Sequence, residues 1–251
     1  MTEGQFINPF TDVGFKLLFG REVSKPVLIS LLNAILEGER KIVDLTFLDK
    51  EQVALGMEDR SLIYDVYCET ESWEHVVVEM QNKTQDNFVD RTVYYASQAI
   101  SRQGERGTEW KYKIAGVYCI AFLNFLDKTL EKKFRTDAGI LDMETHKVVS
   151  RKMRWIYLQL PLFAKEEWGE CETDFDRFML IMKNMEVLKR MPEAARESVF
   201  AKLREIADIS SLSKEEREKY DYAIDGTYIN CLFLRCTSTL KSSCTSVHSG
   251  I

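Results

Sequence analysis

Two acidic residues stand inside apolar, β-branched runs, where acids are disfavoured unless something needs them. Asp65 is flanked by Ile63, Tyr64 and Val66, and Glu79 follows Val76-Val77-Val78. Polar Glu71-Ser72-Trp73-Glu74 lies between the two runs, so they read as the arms of a hairpin. A turn centred near Ser72 pairs position 65 with position 79. Directly opposed side chains lie about 5 Å apart at Cβ. Two carboxylates that close repel unless a cation sits between them. Magnesium suits such a site, because it is hard, takes oxygen ligands and is content with one or two carboxylates plus waters. Gln81, two residues after Glu79, projects from the same strand face. Its amide can orient a water or hold a phosphate oxygen but takes no proton at neutral pH.

Helices and strands must hold this hairpin in place. Asn8-Pro9-Phe10-Thr11 reads as a turn into a short helix through Phe15, Leu18 and Phe19, stopped by Gly20. A second helix is expected from an N-cap at Ser24, with Pro26 in its first turn and Gly38 beyond its end. Val43, Leu45 and Phe47 are expected on one face of a strand, and Leu62 to Tyr67 and His75 to Gln81 form the two hairpin strands. A long helix over about 85–102 follows, with Phe88, Thr92, Tyr95 and Ala99 on its inner face. The run 114–123 is apolar on both faces, as in a central strand covered by helices, and a further strand is expected over 155–160, ended by Pro161. Helix, three strands, helix, strand and strand give an α/β sandwich around a mixed sheet.

Residues from about 174 to 222 read as helices. Phe175, Phe178, Met179, Met182 and Met185 form one apolar stripe, and Val199, Leu203 and Ile206 form another. The expected organisation is a core over 1–170, a helical extension over 171–224 and a disordered tail over 225–251, rich in Ser, Thr and Cys.

Composition narrows the classes. The chain has 251 residues, 45% hydrophobic and 29% charged, enough to bury a core without a disulfide or structural metal. The net charge of −6 argues against coating nucleic acid through bulk positive charge, yet leaves room for an enzyme with basic residues on one face. Arg102, Arg106, Lys111 and Lys113, then Lys132, Lys133 and Arg135, then Arg151, Lys152 and Arg154 are local basic groups that read equally as solvated surface. The six cysteines form no CxxC pair and only three histidines are present, so a Cys/His zinc site is not expected, and Cys68 and Cys119 read as buried thiols. No apolar run reaches the roughly 20 residues that span a membrane, and the N-terminus lacks a secretory pattern, so a cytoplasmic location is expected.

Asp65 followed by Glu79-Met80-Gln81 on adjacent strands resembles the PD-(D/E)XK nuclease superfamily. The opening Asn8-Pro9-Phe10-Thr11-Asp12-Val13-Gly14-Phe15-Lys16-Leu17-Leu18-Phe19-Gly20, the Val78-Glu79-Met80-Gln81 string and the helix carrying Arg91, Tyr94 and Tyr95 resemble a narrower branch. That branch is the PD-(D/E)XK nuclease family transposases, similar to the Rpn recombination-promoting nucleases, over roughly residues 5–222.

The resemblance implies a restriction-endonuclease-like core and metal-dependent DNA endonuclease activity in a recombination or mobile-element setting. Asp65 and Glu79 would bind Mg²⁺ or Mn²⁺, with the Met80 backbone carbonyl as a further ligand. Gln81 stands where the wider superfamily has lysine. Asp12 would reach a metal-bound water, and Arg91 and Tyr95, four apart on one helical face, would lie near the scissile phosphate. Other readings stay open: Asp12 as a first-turn acid favoured by the helix dipole, Arg91 as a partner of Asp86 or Asp90, and Tyr94 and Tyr95 as core aromatics. No separate DNA-reading motif is visible. Homodimerisation would suit double-strand cutting. A catalytically inactive nuclease fold that binds nucleic acid or a protein is the alternative, and the neutral Gln81 and the tail favour it. The tail departs from the family's charged helix after Asp225-Gly226, as though the native C-terminus had been replaced by a reading-frame change.

Overall fold

The opening turn is built by short side chains that bond their own backbone. In the computed structural model, Asn8 Oδ1 accepts from the Phe10 N–H at 2.8 Å. Thr11 Oγ1 accepts from the Gly14 N–H at 2.9 Å and donates to the Asn8 carbonyl. Thr11 is therefore the N-cap of α1 (Asp12–Phe19), and Gly20 ends the helix. Gly14 lies so close to this turn that a Cβ there would sit 2.0 Å from the Asn8 carbonyl oxygen. Glycine is thus required by close approach of backbone.

The structure describes residues 5–49, 51–52, 62–104, 111–185 and 199–224. The expected 225–251 tail, Arg106 and Pro192 lie outside them. By contacts, one unit ends at Ser211 and a second begins at Leu212. The second contains a helix over 214–224. Among the described residues no helix is long and apolar enough to cross a membrane.

In the first unit α1 is followed by α2 (Lys25–Ile35), β1 (Leu45–Phe47), β2 (Glu51–Gln52), β3 (Leu62–Ile63), β4 (Val66–Thr70) and β5 (His75–Gln81). Then come α3 (Phe88–Ser101), β6 (Val117–Leu123), β7 (Arg135–Leu141), β8 (Val148–Gln159), α4 (Asp174–Asn184) and α5 (Val199–Ala207). Six strands form one mixed sheet in the order β1-β4-β5-β6-β8-β7. The β5-β6 and β6-β8 pairs are parallel, the others antiparallel. β6 is buried along its whole length, as its two-sided apolar pattern requires.

The two faces of the sheet divide by residue parity. Val77 and Cys119 pack with Tyr64, Tyr67 and Tyr95 on the α3 face, and Ala121 packs there with Phe88 and Tyr157. On the opposite face Phe15 of α1 meets Phe122 of β6, their ring centroids 6.0 Å apart. Phe88, Thr92, Tyr95 and Ala99 are all buried along α3, and Cys68 and Cys119 are buried free thiols. α4 and α5 pack on α2, and α5 also packs on α1.

Four local expectations need correction. Ser24 makes no cap bond; its hydroxyl donates to the Leu17 carbonyl instead, because a 3-10 turn over Glu22–Ser24 holds its backbone in helical geometry. Val43 lies outside β1 and is exposed, since the strand begins only at Leu45. β7 is a strand that the sequence pattern does not predict, and β8 begins at Val148 rather than near 155. Both reach beyond the core, where the β7 burial pattern is mostly exposed and the apolar alternation that marks a strand fades. Finally, 62–67 is not one strand. β3 pairs with β2 in a separate two-stranded sheet, and the chain breaks pairing at Tyr64 and Asp65 before β4 starts.

Candidate active site

That break builds the site. β4 and β5 pair Val66 with Val78 and Tyr67 with Val77, so the register that would oppose 65 to 79 is present. Continued by two residues, the ladder would offer the Met80 N–H the carbonyl of position 64. Instead the Met80 N–H donates to Asp65 Oδ2 at 2.8 Å. The Asp65 N–H in turn donates to Glu79 Oε1 at 3.3 Å. Glu79 is thus held by the N–H of Asp65, and Asp65 by the N–H of the residue after Glu79, at the carboxyl end of the parallel strand β5. Crevices outside the carboxyl ends of strands are where open α/β sheets place their ligands.

Both acids are buried, Asp65 at 7% and Glu79 at 1% exposure. Burial raises the pKa of each. For Asp65 the Met80 N–H opposes the rise while neighbouring Asp12 adds to it. For Glu79 the Asp65 charge adds to the rise and Arg91 opposes it. Two acids that resist ionisation together form a site that needs cations.

The protein supplies one from each face of the sheet. From α3, Arg91 Nη2 lies 3.0 Å from Glu79 Oε2. Its guanidinium stacks over Phe88 at 5.4 Å and Tyr95 at 5.3 Å. Arg91 therefore faces the acid pair rather than Asp86 or Asp90. From α1, Lys16 Nζ lies 2.7 Å from Asp12 Oδ1 and 3.6 Å from Asp65 Oδ1. Burial lowers the Lys16 pKa, but the hydrogen bond and charge of Asp12 and the charge of Asp65 outweigh it, so the net shift is upward.

The residues singled out in the sequence are placed as follows. Asp65 and Glu79 meet, and Gln81 joins them with its amide 3.5 Å from Glu79 Oε2. Asp12 stands at the rim, its side chain 66% exposed, joined to the pair through Lys16. Tyr95 is buried beneath Arg91 and edge-on to Tyr64, while Tyr94 is exposed. Lys16 carries no role in the sequence reading. Its signal is the spacing of four from Asp12, which puts both on one helical face, while Phe15, Leu18 and Phe19 turn inward.

Among the described residues no cluster of three or more His, Cys, Asp or Glu is arranged to hold a metal. Two buried carboxylates with unequal partners nevertheless fit a hard cation that keeps part of its water shell. A recess of about 710 Å³ lies at the opposite end of the sheet, between Glu74, Tyr118 and the β7-β8 hairpin. Several of its charged groups are paired with one another, Arg40 with Glu74 and Arg154 with both Glu39 and Asp137. Arg135 is likewise paired with Asp137. Arg40, Arg135 and Arg154 therefore do not form a free positive face.

A family model described as PD-(D/E)XK nuclease family transposase matches residues 9–225. No curated protein and no solved structure matches the chain.

Proposed function

From the premise that this chain belongs to the PD-(D/E)XK nuclease family transposases, we propose that it is a divalent-metal-dependent DNA endonuclease working at the Asp65–Glu79 pair. Its six-stranded mixed sheet flanked by helices is the restriction-endonuclease-like fold. The observation that carries the activity is the meeting of two buried carboxylates at the end of β4, each facing a cation from a different layer of the fold. A purely structural acid pair would be expected to use these cations to neutralise itself fully. Here burial, with Asp12 acting on Asp65 and Asp65 acting on Glu79, still holds both pKa values up.

Asp65 and Glu79 would hold Mg²⁺ or Mn²⁺. The Met80 carbonyl would join them, because the N–H and C=O of one strand residue point to the same side and the Met80 N–H already meets Asp65. When bound, the metal lowers the pKa of a water and offsets charge on the phosphate. The remaining work falls to side chains. Arg91, stacked on Phe88 and Tyr95, binds a phosphate oxygen and fixes the DNA backbone. Gln81 holds the attacking water through its amide, and Asp12 at the rim accepts a hydrogen bond from a second water. Hydrolysis adds one water across a P–O bond. The water oxygen bonds to phosphorus, the bond to one sugar oxygen breaks, and one proton ends on that leaving oxygen while the other stays with the phosphate monoester or passes to solvent.

Binding is largely to phosphates, so affinity falls steeply with salt. A second copy of the chain suits double-strand scission, each copy cutting one strand. The buried free thiols suit a reducing cytoplasm.

Cutting of a covalently closed circular plasmid by purified protein tests the reading, with Mg²⁺, Mn²⁺ or EDTA and beside Asp65→Ala and Glu79→Ala. Metal-dependent nicking or linearisation, lost in both variants, supports it. A folded wild type that neither cuts nor binds metal sinks it and leaves a nuclease fold that binds without turnover.

A further inference from the structure

We propose that Lys16 is a catalytic residue of this site, the ammonium that meets the scissile phosphate from the α1 side. The assignment rests on the nuclease reading above. Lys16 comes from the helix whose start is fixed by the Thr11 cap and by Gly14. Its ammonium is therefore delivered to the acid pair by a rigid element. It stands 2.7 Å from Asp12 Oδ1 and 3.6 Å from Asp65 Oδ1, with its side chain only 25% exposed.

The charge pattern argues the same way. Arg91 serves Glu79 from the α3 face, and Lys16 serves Asp65 from the α1 face. Gln81, the polar side chain beside Glu79, is a neutral amide already turned to Glu79 Oε2. It stabilises an oxyanion less than an ammonium does. A lysine ammonium carries three donors. Asp12 takes one of them at 2.7 Å and the Asp65 charge draws the ammonium to 3.6 Å, which leaves a donor for a phosphoryl oxygen arriving beside Asp65. Lys16 keeps its proton throughout. It stabilises the charge that grows on the non-bridging oxygens as the water oxygen bonds to phosphorus, and the bonds made and broken are those of the hydrolysis already written. Asp12 is then a positioning residue that aims the ammonium.

The experiment compares plasmid cleavage by wild type, Lys16→Ala, Lys16→Met and Lys16→Ala/Gln81→Lys, with Mn²⁺ binding by calorimetry and thermal stability of each. Lys16→Met keeps the aliphatic stem, so loss of packing is separated from loss of charge. Removing one stabilising donor at a developing oxyanion costs about 10²–10³-fold in kcat, and that loss is expected in both single variants, with KM for DNA changing much less. Mn²⁺ affinity should hold or tighten, because a competing cation is gone. The double variant places an ammonium on the strand face shared by Glu79 and should recover part of the lost rate. Single variants cutting at wild-type rate would overturn the assignment. So would loss of Mn²⁺ binding without rescue in the double variant, which would mark Lys16 as a support of Asp65 only. A wild type that binds metal but cuts nothing overturns the nuclease reading and this assignment together.

Discussion

Replacing Asp65 by asparagine should make the metal-free protein more stable while destroying its metal site. The Asp65 carboxyl is 7% exposed and its pKa is pushed up from 3.8 to about 7, first by burial and further by Asp12. Its folded-state pKa therefore lies above its unfolded value. The matching stability is fully present below about pH 4 and is lost as pH rises through about 7. At about 1.4 kcal/mol per pH unit, ionising the group in the folded state at pH 8 costs on the order of 4 kcal/mol. Asparagine keeps an oxygen for the Met80 N–H but gives up the attraction of Lys16. About 1–3 kcal/mol should remain as a gain, within the range seen when buried charges are removed. For a chain of this size that is roughly 2–10 °C in Tm. The assay is thermal unfolding in EDTA at pH 5 and pH 8, repeated with millimolar Mg²⁺. Asp65→Asn should melt above wild type at pH 8, lose that advantage at pH 5, and show no rise with Mg²⁺. A lower Tm than wild type at pH 8 in EDTA would refute the reasoning, because the charge would then be a structural asset.

Other expectations follow from the same geometry. Metal binding should release protons, because both carboxyl groups are held above their ordinary values. Mn²⁺ affinity by calorimetry should accordingly rise between pH 6 and pH 8 and fall in acid. Arg91→Ala should weaken DNA binding and reduce the slope of log affinity against log salt by about 1, as expected for one lost phosphate contact. An unchanged slope would return Arg91 to the role of an internal partner for Glu79. Gly14→Ala should cost about 1–3 kcal/mol by overpacking against the Asn8 carbonyl. It should also lower cleavage beyond what the melting curve explains, because α1 carries Lys16 and Asp12.

Much of this site was legible in the sequence because it rests on local rules. The turn at Ser72 determined the β4-β5 register, and acids inside Val-rich runs marked Asp65 and Glu79 as unusual. What escaped depends on the third dimension. The end of β4 at Val66 could not be read, because Leu62 to Tyr67 alternates without interruption although its first residues pair with β2. Lys16 escaped because a lysine four residues from an aspartate looks like any surface helix pair. Only the packing of α1 against β6 brings it to Asp65. β7 and the outer half of β8 escaped because exposed strands carry little apolar alternation to read.

The most direct test of the central claim is a crystal structure of the protein soaked in Mn²⁺ and measured at an anomalous wavelength. The account predicts one strong anomalous peak bound by the carboxylates of Asp65 and Glu79 and the Met80 carbonyl, and no such peak in Asp65→Asn. Manganese bound elsewhere, or a map with no anomalous peak between Asp65 and Glu79, would contradict it.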